Sequence, residues 1–343
     1  MLALRKIGPE PGVELVDVPA PKMPTAGEAL ISVAAAGICG SDLHVHEWTP
    51  SYEWMRNSLP LTLGHEFSGT ILAVGEGDRS FKPGDRVVVR PSITCGVCPE
   101  CQVGRPDDCT HRDSIGMLRD GAFAQQVLVP LKNCLPIPEG LPDEIAALAE
   151  PFTIAAQAIN TADLQPGQKV AVFGPGTIGE AIAVLARARG SDVVVIGKGD
   201  AFRLTSLAEM GISQTLDLDD EDLFEGVARY GDGGKFDVVF EAAGSSHAVN
   251  SGLAILKNNG CIVVAGILSA PVEMDLTAVV RKQQKIKGSF RPAEKVWPEM
   301  IDFLAEHHEM LKPMVSHVVS IEEGLKGFDL AFDKSATKVM IKP

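Results

Sequence analysis

Residues 170–181 of the chain read VAVFGPGTIGEA. Val170 to Phe173 run without a polar break, as a strand buried on both faces requires. Gly174, Gly176 and Gly179 follow in a G-x-G-x-x-G spacing, with Thr177 and Ile178 between the last two, where the helical pattern starts. Each glycine has a physical task. Gly174 permits the tight turn, Gly176 lets the backbone approach a pyrophosphate, and Gly179 lets the helix lie close to the strand. The helix N-terminus then faces the phosphate charge. Gly174, Gly176, Thr177, Ile178 and Gly179 are therefore the candidate dinucleotide-binding residues.

The pattern extends outward from this turn. A helix is predicted over 177–189 and another over 201–210, separated by the strand SDVVVIG. FDVVFEAAG (236–244) and GCIVVAG (260–266) read as further strands. Continuous Val/Ile runs alternating with helices predict an α/β, doubly wound parallel sheet. In such a fold the second strand sets the choice of cofactor, because an acid at its end accepts hydrogen bonds from the ribose 2′-hydroxyl. Here that strand ends in Gly197 followed by Lys198. A small residue followed by a cation suits a 2′-phosphate, and Arg203 adds a second charge. Asp200 would restore a ribose contact if the loop curls back. Between NAD and NADP, these residues favour NADP.

A length of 343 residues suits two domains. A hydrophobic content of 45% and a charged content of 22% describe a globular chain with a full core. The net charge of -14 argues against nucleic acid or an anionic membrane as partner. The opening MLALRKIGPEPG has too short an apolar run for a signal peptide, and no stretch approaches the ~20 apolar residues of a membrane span. These features predict a cytoplasmic protein. The first third is β-rich, with apolar segments at 29–37, 67–75 and 85–91 between Gly, Pro and Asp turns, which predicts a barrel-like antiparallel domain. After about residue 285 the character is mixed, with GSFRP and then a predicted helix at 294–308.

Four of the seven cysteines lie together as Cys95, Cys98, Cys101 and Cys109, spaced C-x2-C-x2-C-x7-C. Four thiolates close the tetrahedral shell of a zinc ion and leave no position for a substrate, so this cluster is predicted to be structural. Cys134 and Cys261 sit in apolar surroundings and read as core. The reacting centre must lie elsewhere. GICGSDLHVHEW supplies Cys39, Ser41, Asp42 and His44, LTLGHEFSG supplies His65 and Glu66, and ALAEPF supplies Glu150. Cys, His and carboxylate are the ligand types of zinc sites that keep one position open.

With GICGSDLH, LGHEFSGTI, the four-cysteine lobe, AEP, GPGTIG and GSFRP in one chain, the sequence resembles the zinc-dependent medium-chain alcohol dehydrogenases along essentially its whole length. Within them it resembles the polyol (sorbitol/xylitol-type) and threonine dehydrogenase branch. The resemblance implies a GroES-like β-rich catalytic domain over 1–152 and 288–343, with the structural-zinc lobe at 91–113. It implies a Rossmann dinucleotide-binding domain over 153–287. It implies two zinc ions per chain. Cys39 and His65 would hold the catalytic one, and Glu66 or Glu150 would be the third ligand. Ser41 and His44 would relay the substrate proton, and Asp42 would orient the ligands. Arg291, in GSFRP, would lie near substrate.

Two features depart from the family pattern. The stretch HEWTPSYEWMRNSLP is long and aromatic, and Trp48 and Trp54 in it either line the substrate pocket or pack against the lobe. The acid expected at Gly197 is missing. The implied reaction is oxidation of a secondary alcohol to a ketone, with hydride passing to the nicotinamide. A polyol or sugar alcohol is the first expectation, and threonine, butanediols and simple alcohols are the alternatives. A non-enzymatic binding relative would have little need for Cys39, His65 and Glu150 together. The family points to a homo-oligomer, a tetramer before a dimer, and to a small-molecule alcohol as the only partner.

Overall fold

The glycine-rich turn leaves the strand Lys169–Phe173, which lies inside a six-stranded sheet. A computed structural model describes residues 1–77 and 79–343. In it the strands run Thr215–Asp217, Asp192–Gly197, Lys169–Phe173, Phe236–Glu241, Leu256–Val264 and Lys285–Gly288 across the sheet, all parallel. Val170, Ala171, Val172, Val195, Val239 and Ile262 are fully buried, which explains their unbroken apolar runs. This sheet belongs to a unit made of Pro151–Pro292 and Lys334–Thr337.

Helices Thr177–Ala188 and Ala201–Glu209 of this unit stand where the pattern predicts them. Two strands end differently from the expectation. The segment 236–244 is extended only to Glu241, because the buried Glu241 carboxylate accepts the N–H groups of Ala243 (2.9 Å) and Ser245 (3.1 Å) and curls the chain. The segment 260–266 is extended from Leu256 to Val264, and the N–H groups of Ala265 and Gly266 then turn to the carbonyl of Glu241.

The second unit comprises Met1–Glu150, Ala293–Asp333 and Lys338–Pro343. Its seven-stranded sheet runs Cys134–Pro136, Arg86–Val89, Glu66–Val74, Glu28–Gly37, Lys338–Lys342 and Val315–Ser320, with Gln126–Pro130 also paired to Glu28–Gly37. A three-stranded sheet of Glu14–Asp17, Leu2–Lys6 and Leu61–Thr62 lies in the same unit. The sheet is not wholly antiparallel. Val315–Ser320 and Lys338–Lys342 run parallel because the helix Gly324–Phe332 carries the chain back between them. The predicted helix at 294–308 spans Val296–Leu311, with buried Leu311 extending its apolar face and Pro313 stopping the α-helix. Among the described residues, no helix is long and apolar enough to cross a membrane.

Three local features of this unit bring the site together. Gly37, at the end of one strand, pairs with Glu66 at the start of the next, so His65 and Glu66 lie beside the chain that leads to Cys39. The helix Gly40–Glu47 starts at Cys39, whose N–H is held by Asp42 Oδ2 at 2.9 Å in a capping box. The predicted aromatic loop contains a 3-10 segment, Pro50–Ser58, with buried Tyr52 and Met55.

Candidate metal and dinucleotide sites

The Cys39 thiol, the His65 ring and the Glu66 carboxylate converge, with one ligand atom of each within 4.8 Å of the others. His65 Nδ1 faces Asp42 Oδ1 at 3.6 Å, which turns Nε2 to the other side, where Ser41 Oγ lies at 3.3 Å. Glu66 is fully buried, and its Oε1 has no hydrogen-bond partner. A cysteine, a histidine and a carboxylate with an unpartnered buried oxygen are a donor set that fits zinc with one position left open.

The charges in the cluster oppose one another. Burial and the Glu66 carboxylate hold the Cys39 thiol above its ordinary range, against His65 and Lys338. Burial alone would depress His65, but Asp42 and Cys39 outweigh it and raise the imidazole well above its usual value. Glu150 stands outside the triad. Burial, with Glu66 and Asp42 adding to it, pushes its carboxyl up to about 7, against His65 and Lys338.

Burial raises the Tyr52 phenol above its normal range, with Cys39 and Asp42 adding to it and the nearby Ser41 hydroxyl working against it. The His44 ring stacks on Tyr52 with centroids 5.7 Å apart, and its Nδ1 lies 3.4 Å from the Thr49 hydroxyl. Burial depresses the His44 imidazole, against the nearby Glu47. Trp48 ends the helix in the left-handed region at φ 55°, and its indole N–H donates to Glu53 at 3.0 Å. Trp54 is exposed and tilted against Tyr52.

The four lobe cysteines also converge within 4.8 Å. Cys98 and Cys95 lie 3.9 and 3.6 Å from Cys109, sulfur to sulfur. A zinc–sulfur bond of about 2.3 Å gives a tetrahedron edge of about 3.8 Å, so these spacings suit zinc. The N–H groups of Cys95, Val97 and Cys98 point to the sulfurs of Cys109 and Cys95. Backbone donors pull Cys98 and Cys109 below the ordinary thiol range, while burial and the neighbouring Cys98 push Cys101 up. Cys134 and Cys261 are buried apart from both clusters.

The glycines of the opening motif are each explained by space. Gly174 has φ +96°, and a Cβ there would lie 2.8 Å from the Ala243 nitrogen. A Cβ on Gly179 would lie 1.8 Å from the Gly174 oxygen. Gly176, the N-cap, would place a Cβ in open space, as a cradle for a ligand requires. Thr177 bonds the Thr337 carbonyl at 3.0 Å, and Ile178 is half-buried in the helix's first turn.

At the end of the second strand, a Cβ on Gly197 would lie 2.9 Å from Cβ of Asp200, so the loop does curl back. Asp200 is buried and accepts the Lys198 N–H at 3.0 Å and the Arg203 guanidinium at 3.2 Å. Arg203 also donates to the Ala336 carbonyl at 2.8 Å and is largely covered. Lys198 is exposed, and half-exposed Lys334 donates to its carbonyl at 3.3 Å. Arg291 has φ 53°, and its guanidinium lies over the exposed Phe290 ring at 4.7 Å.

Two residues of these surroundings escape sequence reasoning. Lys338 and Lys6 are both fully covered lysines. Lys6 donates to the carbonyls of Glu10, Gly12 (3.0 Å) and His46 (3.1 Å), tying down the end of the helix that carries His44. Lys338 donates to Glu66 Oε2 at 2.6 Å and to the Ile38 carbonyl at 2.8 Å. A lysine near a strand end normally marks solvent, so composition gives no signal for either.

A β-rich unit with two clusters of metal-ligating residue types and an α/β unit with a glycine-rich strand-to-helix turn are the parts of a metal-dependent dinucleotide oxidoreductase. Residues 25–139 match the alcohol dehydrogenase GroES-like domain family, and residues 177–306 match the zinc-binding dehydrogenase family. The chain belongs to the zinc-dependent medium-chain alcohol dehydrogenase superfamily. It is 32% identical over 344 residues to an L-threonine 3-dehydrogenase of Shewanella woodyi, covering 99% of both chains. Its fold is similar to that of a zinc-binding dehydrogenase of Sinorhizobium meliloti 1021 bound to NADP, with TM-score 0.87 and 31% identity over 100% of this chain and 99% of that one. It is also similar to galactitol-1-phosphate dehydrogenase of Escherichia coli, with TM-score 0.87 and 28% identity over the whole of both chains.

Proposed function

We propose that the chain oxidises the secondary alcohol of a threonine-type 2-amino-3-hydroxy acid, passing the hydride to NADP. The observation that carries the reaction type is the convergence of Cys39, His65 and Glu66 beside the Ser41 hydroxyl. The substrate class rests on L-threonine 3-dehydrogenases of several organisms, which match this chain end to end at 32–33% identity. Those relatives favour it over the polyol that the motifs alone put first.

Cys39, His65 and Glu66 would hold the catalytic zinc, and Cys95, Cys98, Cys101 and Cys109 the structural one. When bound, the catalytic ion supplies a Lewis acid that lowers the pKa of an alcohol, and the dinucleotide supplies the hydride acceptor. The chain's own residues do the rest. Asp42 fixes the His65 ring at Nδ1. Ser41 Oγ, 3.3 Å from His65 Nε2, accepts the substrate proton as it gives up its own. His44 on the same helix, whose imidazole burial depresses, is the base that takes a proton on towards solvent. Gly176 leaves room for the pyrophosphate at the helix N-terminus. Lys198, exposed beside Lys334, receives the 2′-phosphate, since Asp200 and Arg203 are already paired with each other.

The test is a steady-state panel of L-threonine, polyols, 2,3-butanediol and simple alcohols with NAD and with NADP, following reduced nicotinamide. The expected result is the highest kcat/KM with L-threonine and NADP. A higher value for a polyol overturns the substrate assignment. No turnover with any alcohol overturns the reaction.

A further inference from the structure

Lys338 spans three strands. Its own strand pairs with Glu28–Gly37, and that strand pairs with Glu66–Val74, with Met340, Gly37 and Glu66 in one register row. The Lys338 side chain runs past Gly37 to reach Glu66. Gly37 makes this passage possible, because a Cβ there would lie 2.5 Å from Glu66 Oε2 and 3.2 Å from Lys338 Cδ. The ammonium therefore holds one oxygen of Glu66 and, through the Ile38 carbonyl, the backbone that enters Cys39. The other oxygen, Oε1, is buried and unpartnered.

Both partners are covered, Lys338 at 2% exposed and Glu66 at 0%. Such a pair is costly to desolvate, and apolar residues of the same size would serve stability as well. Its presence beside the triad calls for a role beyond stability. We propose that Lys338 is a positioning residue that restrains Glu66 to one metal-facing oxygen, so that the Cys39 site keeps a position free for substrate. This rests on the functional reading above. Without the ammonium, the whole carboxylate turns toward the cation, and the site loses a nearby positive charge. Both effects tighten metal binding and fill the open position.

The test uses full-length holoprotein with zinc, and with cobalt(II) as a spectroscopic probe. Metal content, the rate of metal release to a chelator and the cobalt visible spectrum are measured for the wild type, Lys338→Met, Lys338→Arg, Glu66→Gln and the Met/Gln double variant. Lys338→Met is expected to slow release from the Cys39 site about tenfold, the scale of one unit charge a few ångströms away. Its cobalt bands should weaken, as they do when a four-coordinate ion gains a ligand. Lys338→Arg should behave as the wild type. In the Glu66→Gln background, the Lys338→Met change should slow release by less and leave the cobalt bands unchanged, because only the loss of charge remains.

Lys338→Met with wild-type release and spectrum overturns the inference. So does an equal effect with and without Glu66. Where Lys338→Met does not fold, Lys338→Gln, which keeps a donor but not the charge, answers the same question. Cys39→Ala separates this inference from the functional reading. A wild type that loses no metal on that change has no catalytic ion, and the reading itself falls. A wild type that loses one ion while Lys338→Met leaves release unchanged refutes only the role of Lys338.

Discussion

Gly176 and Gly179 lie three residues apart in one turn, and adding a methyl to each should give opposite pictures. At Gly179 the added Cβ meets the Gly174 oxygen at 1.8 Å, about 1.6 Å short of the 3.4 Å at which ordinary contact begins. The obstacle is backbone, so the helix Thr177–Ala188 must lift from the strand. Overpacking of this kind costs roughly 1–3 kcal/mol, and the depth of this clash puts Gly179→Ala at the upper end. In a unit of this size that lowers Tm by on the order of 6–12 °C.

At Gly176 nothing lies within 4 Å of the added Cβ, and φ −74° suits alanine. The loss of glycine at the N-cap, about 1 kcal/mol, is offset by the reduced freedom of the unfolded chain, so Tm should stay within about 2 °C. The methyl then projects where we place the pyrophosphate. Fluorescence titration with NADPH should show Kd raised at least tenfold, about 1.4 kcal/mol, in both variants. Thermal unfolding without dinucleotide should separate them. Gly176→Ala with wild-type Tm and wild-type Kd would refute the placement of the dinucleotide. Gly179→Ala with wild-type Tm would refute the packing argument.

Lys198→Ala should raise the KM for NADP about tenfold, the low end of a charge-assisted hydrogen bond, and leave that for NAD within twofold, as initial rates with each dinucleotide will report. An equal change for both would remove Lys198 from the 2′-phosphate site. Glu180 is fully buried, and burial raises its carboxyl well above the ordinary carboxylate range, against Thr337, Arg203 and Ser206. A carboxyl raised in this way favours the folded state below its unfolded pKa and costs stability as pH climbs through the folded one. Glu180→Gln should therefore raise Tm at pH 8 and lose that advantage toward pH 4.5, measured by calorimetry on dinucleotide-free protein. A gain independent of pH would show that ionisation of Glu180 is not its source.

The features most legible in the sequence were those whose chemistry demands one residue type. Only glycine fits at 174 and 179, and only cysteine closes a four-thiolate shell, so spacing alone revealed both. The triad was half legible. Cys39, His65 and Glu66 stand in recognisable motifs, but what puts Glu66 rather than Glu150 with the other two is strand register, Gly37 against Glu66, which no local pattern encodes. The curl of Asp200 under Gly197 was visible only as an option, because it depends on the N–H groups of residues 199 and 200 turning to Asp217 across the loop. Lys338 was not legible at all. A lysine 272 residues from its carboxylate reads as solvent-facing until the sheet brings them together.

The same charge count explains why one chain carries two such different clusters. Four thiolates around a divalent ion leave a net charge of −2, and the lobe answers with backbone N–H donors from residues 95, 97 and 98 rather than a lysine. Such a shell is saturated in ligands and repels a substrate anion, which suits a part that only holds the chain in shape. In the triad, Cys39, Glu66 and the buried Asp42 behind His65 bring three negative charges and Lys338 returns one positive charge, so the cluster sums to −2 and a divalent ion would bring it to neutrality. A site brought to neutrality favours the deprotonated form of an alcohol more than one left net negative, which is the first requirement for hydride departure. Replacing Lys338 by a neutral residue would leave the site net negative even if every ligand stays in place. For this reason the rate should fall while the metal is held more tightly, whereas a purely structural role for Lys338 would lower the rate and loosen the metal.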